Sequence, residues 1–208
     1  LNPSVSMTLK ACQTKCLLNY QTGMNEFKLL NYTFEGSSKE QFRLRFENFL
    51  NGIIDVIPEL GQVHLSIASE NTFPHSAGIA SSASAFAALA CALVELEQKL
   101  GKSYDKKAIE RRMSYLARLG SGSAARSIGG PYMQWGELEQ YPPGESEAAV
   151  LLQSIHKEFK SVKDCILIVD GDKKSVSSSK GHALMHGHPF KEGRILQAKD
   201  NCLNTITA

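Results

Sequence analysis

The sequence lacks a long apolar run: its longest unbroken stretch, residues 85–94, is ten residues long. A bilayer core needs about 20, so no membrane span is written here. It also lacks a charge surplus, because 23 Lys and Arg face 21 Asp and Glu, for a formal net charge of +2. That balance argues against a chain whose main work is coating nucleic acid or an acidic membrane. A small anionic ligand is not excluded, since it needs positive potential only locally. No basic segment followed by an apolar one opens the chain, so no secretory signal is visible. The five cysteines, Cys12, Cys16, Cys91, Cys165 and Cys202, are odd in number and include no Cys-x-x-Cys. They make no paired-cysteine zinc pattern, and a disulfide between Cys12 and Cys16 has no support. Buried, reduced thiols in a cytoplasmic protein are the expectation. No Walker Gly-Lys-Ser/Thr, internal repeat or low-complexity tract is found.

What is present is ordinary globular material. The 208 residues are 42% hydrophobic and 21% charged, enough for one or two domains that hide roughly 70% of the unfolded surface. Alternation at Val5, Met7 and Leu9 reads as a half-buried strand. Segments 16–20 and 28–34 read as two more, joined by the turn residues of Gln21-Thr-Gly-Met-Asn, so the opening is expected to be a β-meander. Ser37-Ser-Lys-Glu40 has the form of a capping box, and apolar spacing predicts a helix over 38–57, ended by Pro58. Val63, Leu65 and Ile67 alternate as a strand. The Ala- and Leu-rich segment 83–100 predicts a largely buried helix stopped by Gly101. Another is expected from 103 to 119, stopped by Gly120, with Arg111, Arg112 and Arg118 on a solvated face. Residues 132–135 suggest a short strand, 137–147 a loop, and 165–169 a buried strand. A helix is expected after Pro189, with Phe190, Ile195 and Leu196 inward. Strands followed by helix and strand point to an α+β class.

Three loops carry chemistry. Pro74-His-Ser-Ala-Gly78-Ile-Ala80-Ser81-Ser82-Ala83-Ser84 lies between a strand and a long helix. Its glycine allows close backbone approach, and free N–H groups with the helix dipole gather at the helix start. Such a loop binds phosphate without lysines; it could equally be a serine-rich helix start that caps itself and binds nothing. Gly120-Ser121-Gly122-Ser123-Ala-Ala-Arg126-Ser127-Ile-Gly-Gly130 places three hydroxyls beside one planar arginine fork suited to phosphate. It could also be a flexible loop whose Arg126 makes an ordinary ion pair. Segment 172–182 mixes lysines, serines including Ser178, and Gly181; a plain solvated loop is its other reading.

In order along the chain, these stretches resemble the diphosphomevalonate decarboxylase family of the galactokinase, homoserine kinase, mevalonate kinase and phosphomevalonate kinase (GHMP kinase) superfamily. Residues 74–86 are similar to its P-x-x-x-G-L-A-S-S-A-S-x-F loop, and residues 120–130 to its G-S-G-S-A-x-R-S-x-x-G-G. Asn2-Pro-Ser-Val-Ser-Met-Thr-Leu resembles an early N-x-S-x-S-V-T-L strand, and Leu167-Ile-Val with Lys173-Lys-Ser-Val-Ser-Ser a strand and serine loop. His75 and Ile79 depart from commoner residues. So does Gly181-His182-Ala-Leu-Met-His186-Gly-His188, where the family often reads Gly-Met-x-x-Ser/Thr, which suggests a divergent branch.

The resemblance implies an antiparallel-rich sheet with helices on one face, residues 1–170 forming the N-terminal domain and 171–208 starting a second. It implies ATP-dependent decarboxylation of mevalonate 5-diphosphate to isopentenyl diphosphate, with ATP and Mg²⁺, and a homodimer. Gly78, Ala80, Ser81, Ser82 and Ser84 would hold the ATP phosphates. Ser121, Gly122, Ser123, Arg126 and Ser178 would hold the substrate diphosphate, Arg126 also lying close to the reacting carboxylate. No residue matches the family's catalytic aspartate or its Tyr-Trp-Gly-Lys strand. Since the chain begins at Leu1 and stops at Ala208, a portion of a longer enzyme is expected, one that does not turn over alone. A related kinase or monophosphate decarboxylase, or a non-catalytic nucleotide-binding module, stands beside this reading. A metal site at His182, His186 and His188 is not expected, because Gly187 and Pro189 break the helix it would need.

Overall fold

The computed structural model describes residues 2–75, 79–141, 144–167, 181, 183–185 and 187–207. Along the chain run β1 (Ser4–Met7), β2 (Thr14–Thr22), β3 (Lys28–Phe34), β4 (Ser37–Ser38), α1 (Glu40–Gly52), β5 (Val63–Asn71), α2 (Ser81–Lys99) and α3 (Lys106–Gly120). There follow β6 (Tyr132–Trp135), β7 (Val150–Leu151) and α4 (Lys191–Thr207), with short 3-10 turns at Pro58–Gln62, Gly122–Ser127 and Lys157–Ser161. The class is α+β, as the order of elements predicts.

A four-stranded sheet has the order β2-β5-β3-β4, and a three-stranded one the order β1-β6-β7. All pairings are antiparallel except β3 with β5. Parallel neighbours need a crossover, and α1 supplies it. β5 is central because Val63, Leu65 and Ile67 are all buried on one face. The expected opening meander is therefore corrected. β1 joins the other sheet, and among the described residues β2 and β3 pair with β5 rather than with each other. The local turn signal dictates a reversal, but β5 offers each strand a more apolar neighbour, such as Ile67 opposite Leu18.

The helices cover one face of the four-stranded sheet. Phe46 and Leu50 of α1 and Phe86, Leu89 and Leu93 of α2 share a core with Leu29, Tyr32, Leu65 and Ile67. Phe46 links the layers, 4.8 Å from the Tyr32 ring and stacked 5.1 Å from Phe86. The capping box does not form. Ser37 and Ser38 pair with Phe34 and Thr33 in a tight hairpin, whose loop residues Glu35 and Gly36 both have positive φ, 52° and 73°, as such turns require. Glu40 instead binds Arg43.

α3 ends at Gly120, as expected, and a Cβ there would overlap the Phe86 ring of α2. Of the α3 arginines expected on a solvated face, Arg111 is exposed, whereas Arg112 and Arg118 are partly buried. Arg112 donates to both carboxylate oxygens of Glu97, at 3.1 and 2.6 Å, and to Val56 O at 2.8 Å. Glu97 is 1% exposed. Arg111 pairs with Glu145, and Arg118 donates to Glu147 O.

The C-terminal part departs most from expectation. Residues 165–167 are irregular, with Cys165 exposed and Leu167 82% exposed, because no described strand lies beside them. Residues 168–169 of the expected strand lie outside the described residues. Phe190, just before α4, and Leu196 on it face outward, 71% and 63% exposed. Ile195 turns inward as expected, in a stripe with Ala198, Cys202 and Ile206, and α4 lies against β1. No helix among the described residues is long and apolar enough to cross a membrane.

Candidate functional site

A cleft of about 730 Å³ opens where three segments converge: residues 6–14 around the β1–β2 connection, the first three turns of α2, and residues 123–131. Its walls are tied by hydrogen bonds. Thr72 Oγ1 accepts from Gln13 N–H at 2.9 Å and donates to Ala11 O at 2.7 Å, fixing the β1–β2 connection to the end of β5. Thr8 bonds the opposite wall twice, through its N–H to Pro131 O and its hydroxyl to Gly130 O. Among the described residues the charged side chains lining the cleft are Lys10 and Arg126, both cationic. Its chemistry suits an anion.

The start of α2 forms one wall. Ala80 holds the left-handed conformation at φ 53°, costly for a residue with a side chain. Among the described residues no side-chain bond caps the helix, so its first N–H groups and the positive end of its dipole lack a side-chain acceptor there. Ala80 and Ser84 line the cleft. Thr14 Oγ1 lies 2.7 Å from Ser84 Oγ and 2.7 Å from Asn71 Oδ1. Ser82 turns to the other flank, where its hydroxyl accepts from Arg45 Nη1 at 2.9 Å. Arg45 also lies over the Phe86 ring, 5.0 Å from its centre, and burial lowers its pKa. Ser81 is buried and does not reach the cleft.

The second wall is the turn Gly122–Ser127. Buried Ser114 on α3 holds it, donating to Ala125 O at 2.9 Å while accepting from Ala149 N–H at 2.8 Å. Ser123 and Arg126 line the cleft. Arg126 Nε is buried with no hydrogen-bond partner among the described residues. Loss of water lowers the guanidinium's pKa, and Cys202 of α4 opposes this in part. An orphaned, desolvated cation is stabilised by an incoming anion. Ser121 and Gly122 do not line the cleft; a Cβ on Gly122 would come within 3.0 Å of the Trp135 ring. Gly78 and Ser178 lie outside the described residues.

The fold thus gathers Ala80, Ser84, Ser123 and Arg126 of the expected site residues at one cleft. Thr14, which lines the cleft, was not legible as a site residue, nor were Asn71 and Arg45, which bond Thr14 and Ser82. Thr14 and Asn71 meet Ser84 only through the register of β2 against β5, which no local pattern announces. Arg45 reads along α1 as one more helix cation.

A second cleft, lined by Tyr104, Arg111, Arg112 and Tyr115, has its arginines engaged by Glu145 and Glu97. Among the described residues no group of three or more His, Cys, Asp or Glu could hold a metal. His182 and His186 lie outside them, and His188 Nδ1 accepts from Phe190 N–H. The donor set fits phosphate, and a cation carried by phosphate, better than a metal held by protein alone.

Comparison with known proteins agrees with that chemistry. A family model described as the diphosphomevalonate decarboxylase-like N-terminal domain matches residues 1–148. Diphosphomevalonate decarboxylase of Saccharomyces cerevisiae is 34% identical over 193 residues, covering 88% of this chain and 46% of the yeast protein. The crystal structure of mevalonate diphosphate decarboxylase from Staphylococcus aureus superposes with a TM-score of 0.76 at 25% identity, over 100% of this chain and 59% of that one. A structure describing mevalonate diphosphate-mediated ATP binding by the Enterococcus faecalis enzyme matches at 33% identity with a TM-score of 0.51. That match covers 65% of this chain and 39% of the other. The chain spans about half the length of the curated relatives it matches.

Proposed function

The chain belongs to the diphosphomevalonate decarboxylase-like family through its N-terminal domain, and from that membership we propose that the protein converts mevalonate 5-diphosphate to isopentenyl diphosphate at the cost of one ATP. The observation that carries the proposal is the cleft whose charged lining among the described residues is cationic, lined by Arg126, whose buried Nε has no partner among those residues, beside the start of α2.

In this reading the γ-phosphoryl group passes to the tertiary 3-hydroxyl, whose proton leaves to a base. The carbon–oxygen bond to that phosphate then breaks. The electrons of the carbon–carboxylate bond form the new double bond, and phosphate and CO₂ depart. The α2 start, with Gly78, Ala80, Ser81, Ser82 and Ser84, would hold the ATP phosphates, chiefly through backbone N–H groups. Ser123 and Arg126, which line the cleft, would hold the substrate diphosphate. Arg126 would also stabilise charge near the departing carboxylate. Mg²⁺ bound with the nucleotide would neutralise phosphate charge. We place the domain boundary near residue 170 and expect a homodimer, both on the family resemblance.

The test supplies the full-length protein with ATP and mevalonate 5-diphosphate. Equal release of ADP, phosphate and CO₂ is expected. A phosphorylated product without CO₂ would reject the decarboxylase assignment in favour of a kinase.

A further inference from the structure

Arg45 stands apart from the other arginine of α1. Arg43, two positions earlier, is bonded to Glu40 and Glu47. Arg45 has no carboxylate partner among the described residues, and its Nη1 donates instead to Ser82 Oγ at 2.9 Å. The packing of α1 on α2 places this contact. Phe86 follows Ser82 by four residues, about one turn along α2. Phe46, next to Arg45 on α1, stacks on the Phe86 ring at 5.1 Å, and the Arg45 guanidinium lies over the same ring, 5.0 Å from its centre. A cation is thus delivered to the start of α2 on the flank away from the cleft.

The hydrogen bond sets which way the Ser82 hydroxyl works. A guanidinium only donates, and a serine has one proton and two lone pairs. Ser82 Oγ must accept from Arg45, so its own proton is left to donate elsewhere, and that proton has no acceptor among the described residues. The other two hydroxyls of this helix start differ: Ser81 is buried, and Ser84 is bonded to Thr14. A hydrogen bond received from a cation polarises the O–H that gives the next one. Ser82 is therefore a donor strengthened by a positive charge, which suits a phosphate oxygen.

Resting on the nucleotide reading above, we propose that Arg45 is a positioning residue of the reaction: it holds Ser82 Oγ from the α1 side and turns that hydroxyl's proton toward an ATP phosphate oxygen. Arg45 itself need not touch the nucleotide. Its charge acts through Ser82 and adds to the positive end of the α2 dipole. Arg126 lines the cleft on the other side of the α2 start, so Arg45 bears on ATP and not on the substrate diphosphate.

The experiment is steady-state kinetics of the full-length protein, varying ATP at saturating mevalonate 5-diphosphate and then the reverse. Arg45→Met keeps an apolar stem over Phe86 and removes the donor and the charge. It is expected to lower kcat/KM for ATP about tenfold and to leave KM for mevalonate 5-diphosphate unchanged. Arg45→Lys, which keeps a charged donor, recovers most of the loss. Arg45→Gln, which keeps an N–H donor without the charge, shows a smaller loss in the same direction and gives the reading should Arg45→Met fail to fold. In a Ser82→Ala background Arg45→Met causes no further loss, because the hydroxyl it acts through is gone. A comparable rise in KM for mevalonate 5-diphosphate, an unchanged kcat/KM for ATP, or the full loss persisting in the Ser82→Ala background overturns the role of Arg45 and leaves the nucleotide site standing. A wild-type protein that consumes no ATP overturns the nucleotide reading, and this role with it.

Discussion

Arg126 combines an exposed role with a buried atom: its Nε is enclosed without a partner among the described residues, while its side chain lines the cleft. Arg126→Ala is expected to lower kcat/KM about 10²- to 10³-fold. Arg126→Lys should restore little of it, because a point charge does not reproduce the planar fork. Steady-state kinetics on the full-length protein checks both. Glu97 poses a stability question of the same kind. It is 1% exposed and holds Arg112 by two hydrogen bonds. Glu97→Ala strands the guanidinium and should cost about 3 kcal/mol in urea unfolding. Replacing both partners with apolar residues should cost much less, since no buried charge then remains. Neither role could be assigned from the sequence alone. Arg126 carried a motif, but its orphaned Nε depends on the packing around it, and Arg112 read as one of three surface arginines.

Between elements, the closest constraint is the seating of α3 on α2. Gly120→Ala has two opposing effects. Alanine favours helix by about 1 kcal/mol over glycine, yet its Cβ would overlap the Phe86 ring. Phe86 is also stacked on Phe46 and edge-on to Phe49, so it has nowhere to turn. Overpacking should win, with a net loss of about 1–3 kcal/mol by chemical denaturation. The helices α1, α2 and α3 were legible because their apolar spacing is local, although α1 ends at Gly52, short of the expected residue 57 and its Pro58 stop. The capping box was misread because Ser37 and Ser38 had a competing use in the hairpin. The buried strand expected over 165–169 failed at 165–167, since an apolar run predicts burial only where a neighbour exists to cover it.

At the scale of the molecule, the thiols report the core. Burial pushes Cys16 from 9.0 up to about 12 and Cys91 to about 11, whereas Cys165 is exposed. Alkylation of the native protein at pH 8 should therefore label Cys165 first and spare Cys16 until unfolding. The same shift sets a pH dependence. Cys16 ionises more readily in the unfolded chain than in the folded one. Its contribution to stability is complete below pH 9.0 and is lost as pH rises through about 12, a decline that denaturant midpoints at stepped alkaline pH would follow. A level midpoint across that range would contradict the burial of Cys16.

By itself the sequence determined the α+β class, the principal helices, the phosphate-suited loops and, through their motifs, the family. These depend on short-range spacing and on residue chemistry, which are present in the chain before it folds. Tertiary structure alone decided that β5 separates β2 from β3, and that Ser82 turns to Arg45 while Ser84 turns to the cleft. It also brought Thr14 and Asn71 to Ser84. Those outcomes depend on strand register and helix rotation between residues as many as 70 positions apart, where competing partners settle the choice and no local pattern records it.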